Sequence, residues 1–231
     1  MRNEAENLRP LVEGIVAACA VLDACEILVV DDGSTDGTAG IATELMAEHP
    51  AVRLIRHDRS GGQSAAVHSG VLSARAPVIC TLDGDGQNPP AELPKLWGPL
   101  LADDTLGLVA GQRVHRQDTW SKRAGSRFAN ALRRWLLKDG TRDTGCGLKG
   151  FRRDAFLALP YFDHMHRYLP ALFARDGWRV QLVDVADRER QAGRSNYSNL
   201  QRALVGVYDL IGVAWLIRRR KKATPQEAPR P

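Results

Sequence analysis

Strand-like and helix-like stretches alternate along the first half of the chain, the strands are mostly apolar, and acidic turns close two of them. These three observations predict an α/β fold in which a mostly parallel sheet is covered by helices on both faces. Residues 6–20 carry apolar side chains at helical spacing, and 26–30 are a short β-branched run that stops at the turn Asp31-Asp32-Gly33-Ser34. A helix is expected over 38–48 and a strand over 52–55. A second helix follows over 64–74, then a strand over 77–82 that ends in Asp83-Gly84-Asp85. Residues 90–101 read as helix and 106–110 as strand.

The second half is less regular. An amphipathic helix is expected over 121–137, with Phe128, Leu132, Trp135 and Leu136 on one side, followed by the glycine-rich Asp143-Thr144-Gly145-Cys146-Gly147. Residues 168–175 read as helix, 179–184 as strand and 199–217 as a last helix. The expected organisation is one α/β domain over 1–198, an amphipathic helix with a basic cluster over 199–222, and a disordered Pro-containing tail over 223–231. An alternating α/β domain normally opens on a strand, whereas Met1 falls directly before a helix. The expectation is a first strand missing from this chain, its start lying downstream of the natural one, because a missing strand leaves backbone groups of the sheet unpaired.

Composition narrows the partners. Among 231 residues, 44% are hydrophobic and 26% charged, enough apolar material for a sizeable core. Lys and Arg number 32 against 27 Asp and Glu. The cluster Arg218, Arg219, Arg220, Lys221 and Lys222 accounts for the whole excess, so the body is balanced. No nucleic acid is expected as a partner, since no net field would hold it. The four cysteines, Cys19, Cys25, Cys80 and Cys146, form no CxxC pair and no zinc spacing. They fit free thiols in a reducing compartment, and the polar opening residues do not read as a signal peptide. A cytoplasmic protein is expected, peripheral on the cytoplasmic face of a membrane.

Ligands of parallel α/β sheets bind beyond the carboxyl ends of the strands, where both acidic turns fall. Asp83 and Asp85, one residue apart, would repel unless a cation sits between them. Mg²⁺ or Mn²⁺ suits such a pair, taking one or two carboxylates and completing its shell with phosphate oxygens. A calcium loop of the EF-hand type is excluded: its twelfth position would be Pro94, or Thr43 for the turn at Asp32, where a bidentate Glu is required.

The last helix addresses the membrane. Residues 204–217 are strongly apolar, but fourteen helical residues reach only about 21 Å. A hydrocarbon core is about 30 Å thick, and Asp209 interrupts the run, so no span is expected. Leu204, Val207, Tyr208, Ile211, Trp215 and Leu216 instead make an apolar face beside the basic cluster, which fits either an interfacial helix on an anionic surface or a terminal helix packed on the core with a solvated basic tail.

Several motifs in order carry a family resemblance: Asn3-Glu4-Ala5-Glu6-Asn7-Leu8, Val29-Val30-Asp31-Asp32-Gly33-Ser34-Thr35-Asp36-Gly37-Thr38 and Leu82-Asp83-Gly84-Asp85-Gly86-Gln87. Gly111-Gln112-Arg113, Asp143-Thr144-Gly145-Cys146-Gly147-Leu148-Lys149 and Arg190-Gln191-Ala192-Gly193-Arg194-Ser195 extend it over most of residues 3–217. The chain resembles the family 2 glycosyltransferases, and within them the polyprenyl-phosphate sugar synthases of the dolichyl-phosphate mannosyltransferase kind. The resemblance implies a GT-A fold that binds a nucleotide-sugar donor, with a metal at Asp83 and Asp85. It further implies that Glu4, Val30 and Asp32 hold the nucleoside, Asp32 through the base, with Gln87 alongside the diphosphate. Arg113 and Arg190 would grip phosphates, as forked guanidinium groups suit. Arg123 and Ser126 would contact an acceptor phosphate. The chain departs from the family in lacking the Pro and aromatic residue that precede Asn-Glu, and in carrying Asn196 where Lys is frequent.

Transfer to a hydroxyl needs a general base, which family members supply from an acidic pair late in the domain. The corresponding stretch, Tyr161-Phe162-Asp163-His164-Met165-His166-Arg167, holds the single carboxylate Asp163, with His166 read as a helix-start or surface histidine. A phosphate acceptor is already anionic and needs no base, so a polyprenyl phosphate is the expected acceptor. Two alternatives stand beside it: a hydroxyl acceptor with Asp163 or His164 as base, and a truncated, inactive membrane-associated homologue.

Overall fold

The computed structural model describes residues 1–114, 136–137, 139–141, 143–187, 199–220, 223 and 227. Their order is α1 (Ala5–Cys19), β1 (Ile27–Asp31), α2 (Thr38–Glu48), β2 (Val52–Arg56), α3 (Gly62–Ser73), β3 (Val78–Thr81), α4 (Pro94–Ala102), β4 (Leu106–Arg113), β5 (Lys149–Arg152), α5 (Arg153–Leu157), α6 (Leu169–Arg175), β6 (Arg179–Val185) and α7 (Asn199–Arg218). The helix expected over 90–101 is divided. A 3₁₀ turn at Pro90–Glu92 precedes α4, which starts on Pro94, because proline fits the first turn of a helix and disrupts its interior. The helix expected over 121–137 lies almost wholly outside the described residues.

Two sheets form among the described residues. β1 and β2 pair in parallel, and β3-β5-β4-β6 make a four-stranded sheet. β4 and β6 are parallel, whereas β5 runs antiparallel to both β3 and β4. The mostly parallel sheet expected is the one observed, with a single reversed strand, β5, lodged between β3 and β4. Its sequence, Lys-Gly-Phe-Arg, is too short and too charged to announce itself.

β4 explains its uniform apolarity by burying both faces. Leu108 and Ala110 enter a core with Phe151, Phe156, Leu172 and Phe173, while Val109 faces Leu96, Leu100 and Leu148 under α4. A third core joins Leu8 and Val12 of α1, Ala42 and Leu45 of α2, and Ile27 and Val29 of β1. Ile15 of α1 packs against both the second and third cores, so this helix bridges the two sheets.

α7 belongs to the body as much as to its edge. Leu210, Val213 and Ala214 are buried in the core of β4 and α6, and Arg175 Nε donates to Leu216 O at 3.0 Å. Of the apolar face expected on this helix, Val207, Tyr208, Ile211 and Trp215 are 53%, 81%, 63% and 58% exposed. Leu216 instead packs against the core. Asp209 does not break the exposed stripe, because its carboxylate lies 3.2 Å from His164 Nδ1. No described helix is long and apolar enough to cross a membrane.

Candidate active site

The acidic turn after β3 is set from three sides. Asp83 accepts from Gln63 Nε2 at 2.7 Å, which ties it to the first turn of α3, and its amide reaches Asn88 Oδ1 at 3.4 Å. Asp85 Oδ1 accepts from the Gln87 amide at 3.2 Å, and Gly86 turns the chain at φ 74°. Behind Asp83 lies Gly147, where an added Cβ would fall inside the Asp83 carboxylate. Burial first, then the neighbouring Asp85, push the Asp83 carboxyl above its ordinary value. A carboxylate whose charge is disfavoured by burial and by a neighbouring carboxylate is one that a hard divalent cation relieves. Among the described residues no third His, Cys, Asp or Glu joins them as a ligand group. The pair fits Mg²⁺ or Mn²⁺, whose remaining ligands would be phosphate oxygens and water.

Arg113 ends β4 on the same side. Its Nε and Nη2 meet Asp143 Oδ2 and Oδ1 at 2.6 and 3.0 Å, and Nη1 lies 3.8 Å from Asp187. The hydrogen bond to Asp143 raises the guanidinium further above its already high value. Asp143 heads one of the motifs that carry the resemblance but has no role in what that resemblance implies, and thirty residues separate it from Arg113. Gly145 completes the seat, since a Cβ there would sit 3.4 Å from Arg113 Nη2. Lys149 is buried beneath the same turn, its ammonium donating to Cys146 O.

The turn after β1 has a different character. Asp31 is fully buried, with Oδ1 accepting from the Ser34 amide at 2.9 Å and Oδ2 3.7 Å from Arg56 Nε. Asp32 is also buried, and four groups converge on it. The Gly61 and Gly62 amides donate at 2.8 and 2.9 Å, Ser60 Oγ at 2.7 Å, and His57 Nδ1 stands 2.7 Å away. His57 in turn meets Ser69 Oγ at 2.9 Å. In this structure Asp32 therefore pins the loop leading into α3. Gly33 is the only residue type its own position admits: φ is 68°, and a Cβ would lie 2.7 Å from the Arg59 carbonyl carbon. Beyond this turn a cavity of about 420 Å³ is lined by Gly33, Ser34, Thr35, Arg56, His57 and Asp58.

Burial alone would raise the Asp32 carboxyl, but the Gly61 amide, His57, Ser60 and the Gly62 amide outweigh it, and the group lies below its ordinary 3.8. A depressed folded value means the stabilisation is complete above pH ~4 and drains away as pH falls through that lower value. Asp32→Ala leaves four polar groups without their acceptor and should cost about 3 kcal/mol at pH 7. Denaturant titrations should show this gap between the two proteins closing as the pH is lowered below ~4.

The segment 1–5 straps the two turns together. Asn3 engages the turn through both its groups, its amide donating to Ser34 Oγ and its Oδ1 accepting from the Thr35 amide, both at 2.9 Å. Glu4 receives Asn7 Nδ2 at 2.7 Å and lies beside Gly84, while its amide donates to Thr38 Oγ1 at 2.9 Å. The Val30 carbonyl accepts from the Met1 amino group at 2.8 Å. The Met1 amino group thus gathers Val30, Glu4, Asp32 and Asp83 around it, Asp85 and Gln87 share the turn of Asp83, and the charge of Arg113 reaches Asp83. Arg190, Arg123 and Ser126 lie outside the described residues.

His166 departs from its surface reading. It is half-buried in a 3₁₀ turn, 2.8 Å from Ser64 Oγ, and burial pushes its imidazole down to about 3, so it is neutral at physiological pH.

A family model described as Glycosyl transferase family 2 matches residues 1–159. The chain belongs to glycosyl transferase family 2. An undecaprenyl-phosphate 4-deoxy-4-formamido-L-arabinose transferase of Sodalis glossinidius is 36% identical over 213 residues, covering 90% of this chain and 64% of that protein. The chain thus spans less than two thirds of that relative's length. In fold it matches mannosyl-3-phosphoglycerate synthase from Rubrobacter xylanophilus, with a TM-score of 0.70 and 17% identity over 96% of this chain and 74% of the other. A mannosyltransferase from Pyrobaculum calidifontis, solved with GDP-Man and Mn²⁺, gives a TM-score of 0.65 at 20% identity, over 97% of this chain and 64% of the other. The GT-A architecture expected from the motifs is the architecture observed, with β5 as its reversed strand.

Proposed function

We propose that this chain moves a sugar, with inversion, from a nucleotide donor to a polyprenyl phosphate at the cleft bordered by Asp83, Asp85 and Arg113. The observation that carries the reading is the half-buried Asp83 beside Asp85 at the end of β3, a carboxylate pair suited to a cation bearing a diphosphate. Kinship with undecaprenyl-phosphate sugar transferases supports the lipid acceptor.

The donor nucleoside lies over the Gly33–Thr35 turn, beside the strap from Asn3 to Glu4, and its diphosphate points to Asp83 and Asp85. Asp83 and Asp85 would hold Mg²⁺ or Mn²⁺, which would supply positive charge to offset that growing on the departing diphosphate. Gln63 and Gly147 hold Asp83 in place, and Asp143 aims Arg113 at the same region. Arg190, Arg123 and Ser126 complete the phosphate contacts. An oxygen of the acceptor phosphate attacks the anomeric carbon as the bond from that carbon to the diphosphate oxygen breaks. A phosphate monoester with a second pKa of about 6 is anionic at neutral pH, so no proton moves and positioning does most of the work. The exposed stripe of Val207, Tyr208, Ile211 and Trp215 beside Arg218, Arg219 and Arg220 supports attachment to an anionic membrane surface, where the lipid resides. That surface is the cytoplasmic one in this reading.

One observation favours a hydroxyl acceptor instead. Asp163 Oδ1 lies 3.8 Å from where a Gly62 Cβ would stand, next to the Gln63 that binds Asp83, so a carboxylate base is near the cleft. The deciding experiment offers purified undecaprenyl phosphate in anionic vesicles and a panel of labelled nucleotide sugars, including a nucleotide-linked 4-deoxy-4-formamido-L-arabinose. A lipid product cleaved by mild acid, lost with EDTA and restored by Mn²⁺, is the expected result. An acid-stable glycoside would favour Asp163 as base, and no donor consumption with any metal would favour an inactive homologue.

A further inference from the structure

Between 203 and 217, α7 carries a single charged residue, Asp209. It stands one turn before the buried Val213, on the side of the helix that meets the body and away from the exposed Val207, Tyr208, Ile211 and Trp215. Its side chain is only 13% exposed, and its buried Oδ2 makes no hydrogen bond among the described residues. A carboxylate without compensation is costly inside a fold. The group that faces it is His164 Nδ1, at 3.2 Å.

The backbone at His164 is unusual. Its φ is 64°, a left-handed conformation that residues other than glycine seldom adopt, and its amide donates to Asp163 Oδ1 at 2.8 Å. The imidazole thereby stands between two carboxylates, with Nε2 3.7 Å from Asp163 Oδ2. The same short segment grips the helix a second time through Tyr168, whose hydroxyl donates to Gly206 O at 3.3 Å. Toward the cleft it holds α3: His166 Nδ1 lies 2.8 Å from Ser64 Oγ, one residue after the Gln63 that donates to Asp83. Residues 163–168 therefore fasten α7 on one side and a wall of the cleft on the other, with Met165 buried in the core between them. Near its far end α7 is pinned again, by Arg175 on Leu216 O. Fixings at Asp209 and Leu216, about 10 Å apart along the axis, set both the roll and the tilt of the helix.

We infer that Asp209 and His164 are positioning residues for the lipid acceptor, locking the exposed stripe of α7 in register with the cleft so that a phosphate borne by a membrane arrives at Asp83, Asp85 and Arg113. The inference rests on the transfer to polyprenyl phosphate proposed above. An acceptor anchored in a bilayer does not search its site freely; its phosphate arrives at a height and angle fixed by how the protein sits on the surface. Without the pair, Leu210 and Val213 still hold α7 to the core, but the half of the helix that bears Tyr208 is free to shift. A dissolved acceptor reaches the cleft by diffusion and needs no such registration.

The test compares Asp209→Leu with the unaltered chain on two acceptors, undecaprenyl phosphate in anionic vesicles and a short isoprenyl phosphate dissolved in buffer. KM for the vesicle-borne acceptor should rise about tenfold at unchanged kcat, while the dissolved acceptor is used as before and the variant still sediments with the vesicles. Asp209→Asn keeps an oxygen for the imidazole and should stay within about threefold of the original KM. His164→Asn suits the same left-handed backbone but falls short of α7, and should repeat the rise. Hydrogen exchange at the amides of Asp209 and Leu210, which needs no donor or acceptor, should quicken in Asp209→Leu. Unchanged exchange, an unchanged KM for the vesicle-borne acceptor, or an equal loss on both acceptors with a lowered melting temperature would each overturn the inference and leave the proposed transfer standing. Transfer to neither acceptor by the unaltered chain would remove that transfer, and the inference with it.

Discussion

Asp85→Asn should lower kcat/KM for sugar transfer by about 10³-fold, about 4 kcal/mol, while the folded chain becomes slightly more stable at neutral pH. The two effects have one origin. Burial and the charge of Asp85 raise the Asp83 carboxyl above its unfolded value. For a carboxyl raised by folding, the native state bears a cost that is absent at low pH and grows as pH rises through the folded value. Removing the Asp85 charge relieves that cost. It also removes half of the cation's seat, so the departing diphosphate loses the partner that offsets its charge. Turnover with saturating Mn²⁺ and a thermal melt read the two sides separately. Unchanged turnover would remove this cleft from the mechanism; lost turnover accompanied by a collapsed melting temperature would assign Asp85 to folding.

The elements legible in the sequence are those whose signal is local. β1 and β2 are β-branched runs, α2 and α3 keep helical spacing, and Asp83 and Asp85 announce themselves by standing one residue apart after a strand. What stayed hidden depends on contacts distant in sequence. Arg113 and Asp143 are 30 residues apart and Asp32 is pinned from 25 to 30 residues away, and no spacing rule links them. β5 escaped notice because Lys149 and Arg152, which look like loop charges, are satisfied inside the fold: Lys149 on Cys146 O, Arg152 on Leu100 O and Leu106 O. His166 looked exposed because its partner, Ser64, lies on another helix. The pairing of helix and strand followed from pattern, and the second layer of the site did not.

Gly147→Ala tests that second layer and should cost about 10²-fold in transfer with little loss of stability. Gly147 lies two residues before β5, and the Cβ it lacks would fall inside the Asp83 carboxylate. Two responses are open to the chain. The backbone is held by Thr81 Oγ1, which donates to Gly147 O at 2.8 Å, and by the register of β3 against β5. The carboxylate is the far end of a short side chain, free to rotate once its hydrogen bond to Gln63 breaks. Asp83 therefore yields, turning away from Asp85, while the sheet keeps its register. A catalytic group displaced by about 1 Å costs on the order of 10²-fold, because the geometry that offsets diphosphate charge is lost before any contact of the core is. The same change should weaken Mn²⁺ binding more than donor binding measured with metal absent, which isothermal titration can separate. Equal turnover in the alanine variant would mean that Asp83 has room to spare, and the tight seat described here would then have no part in holding the cation.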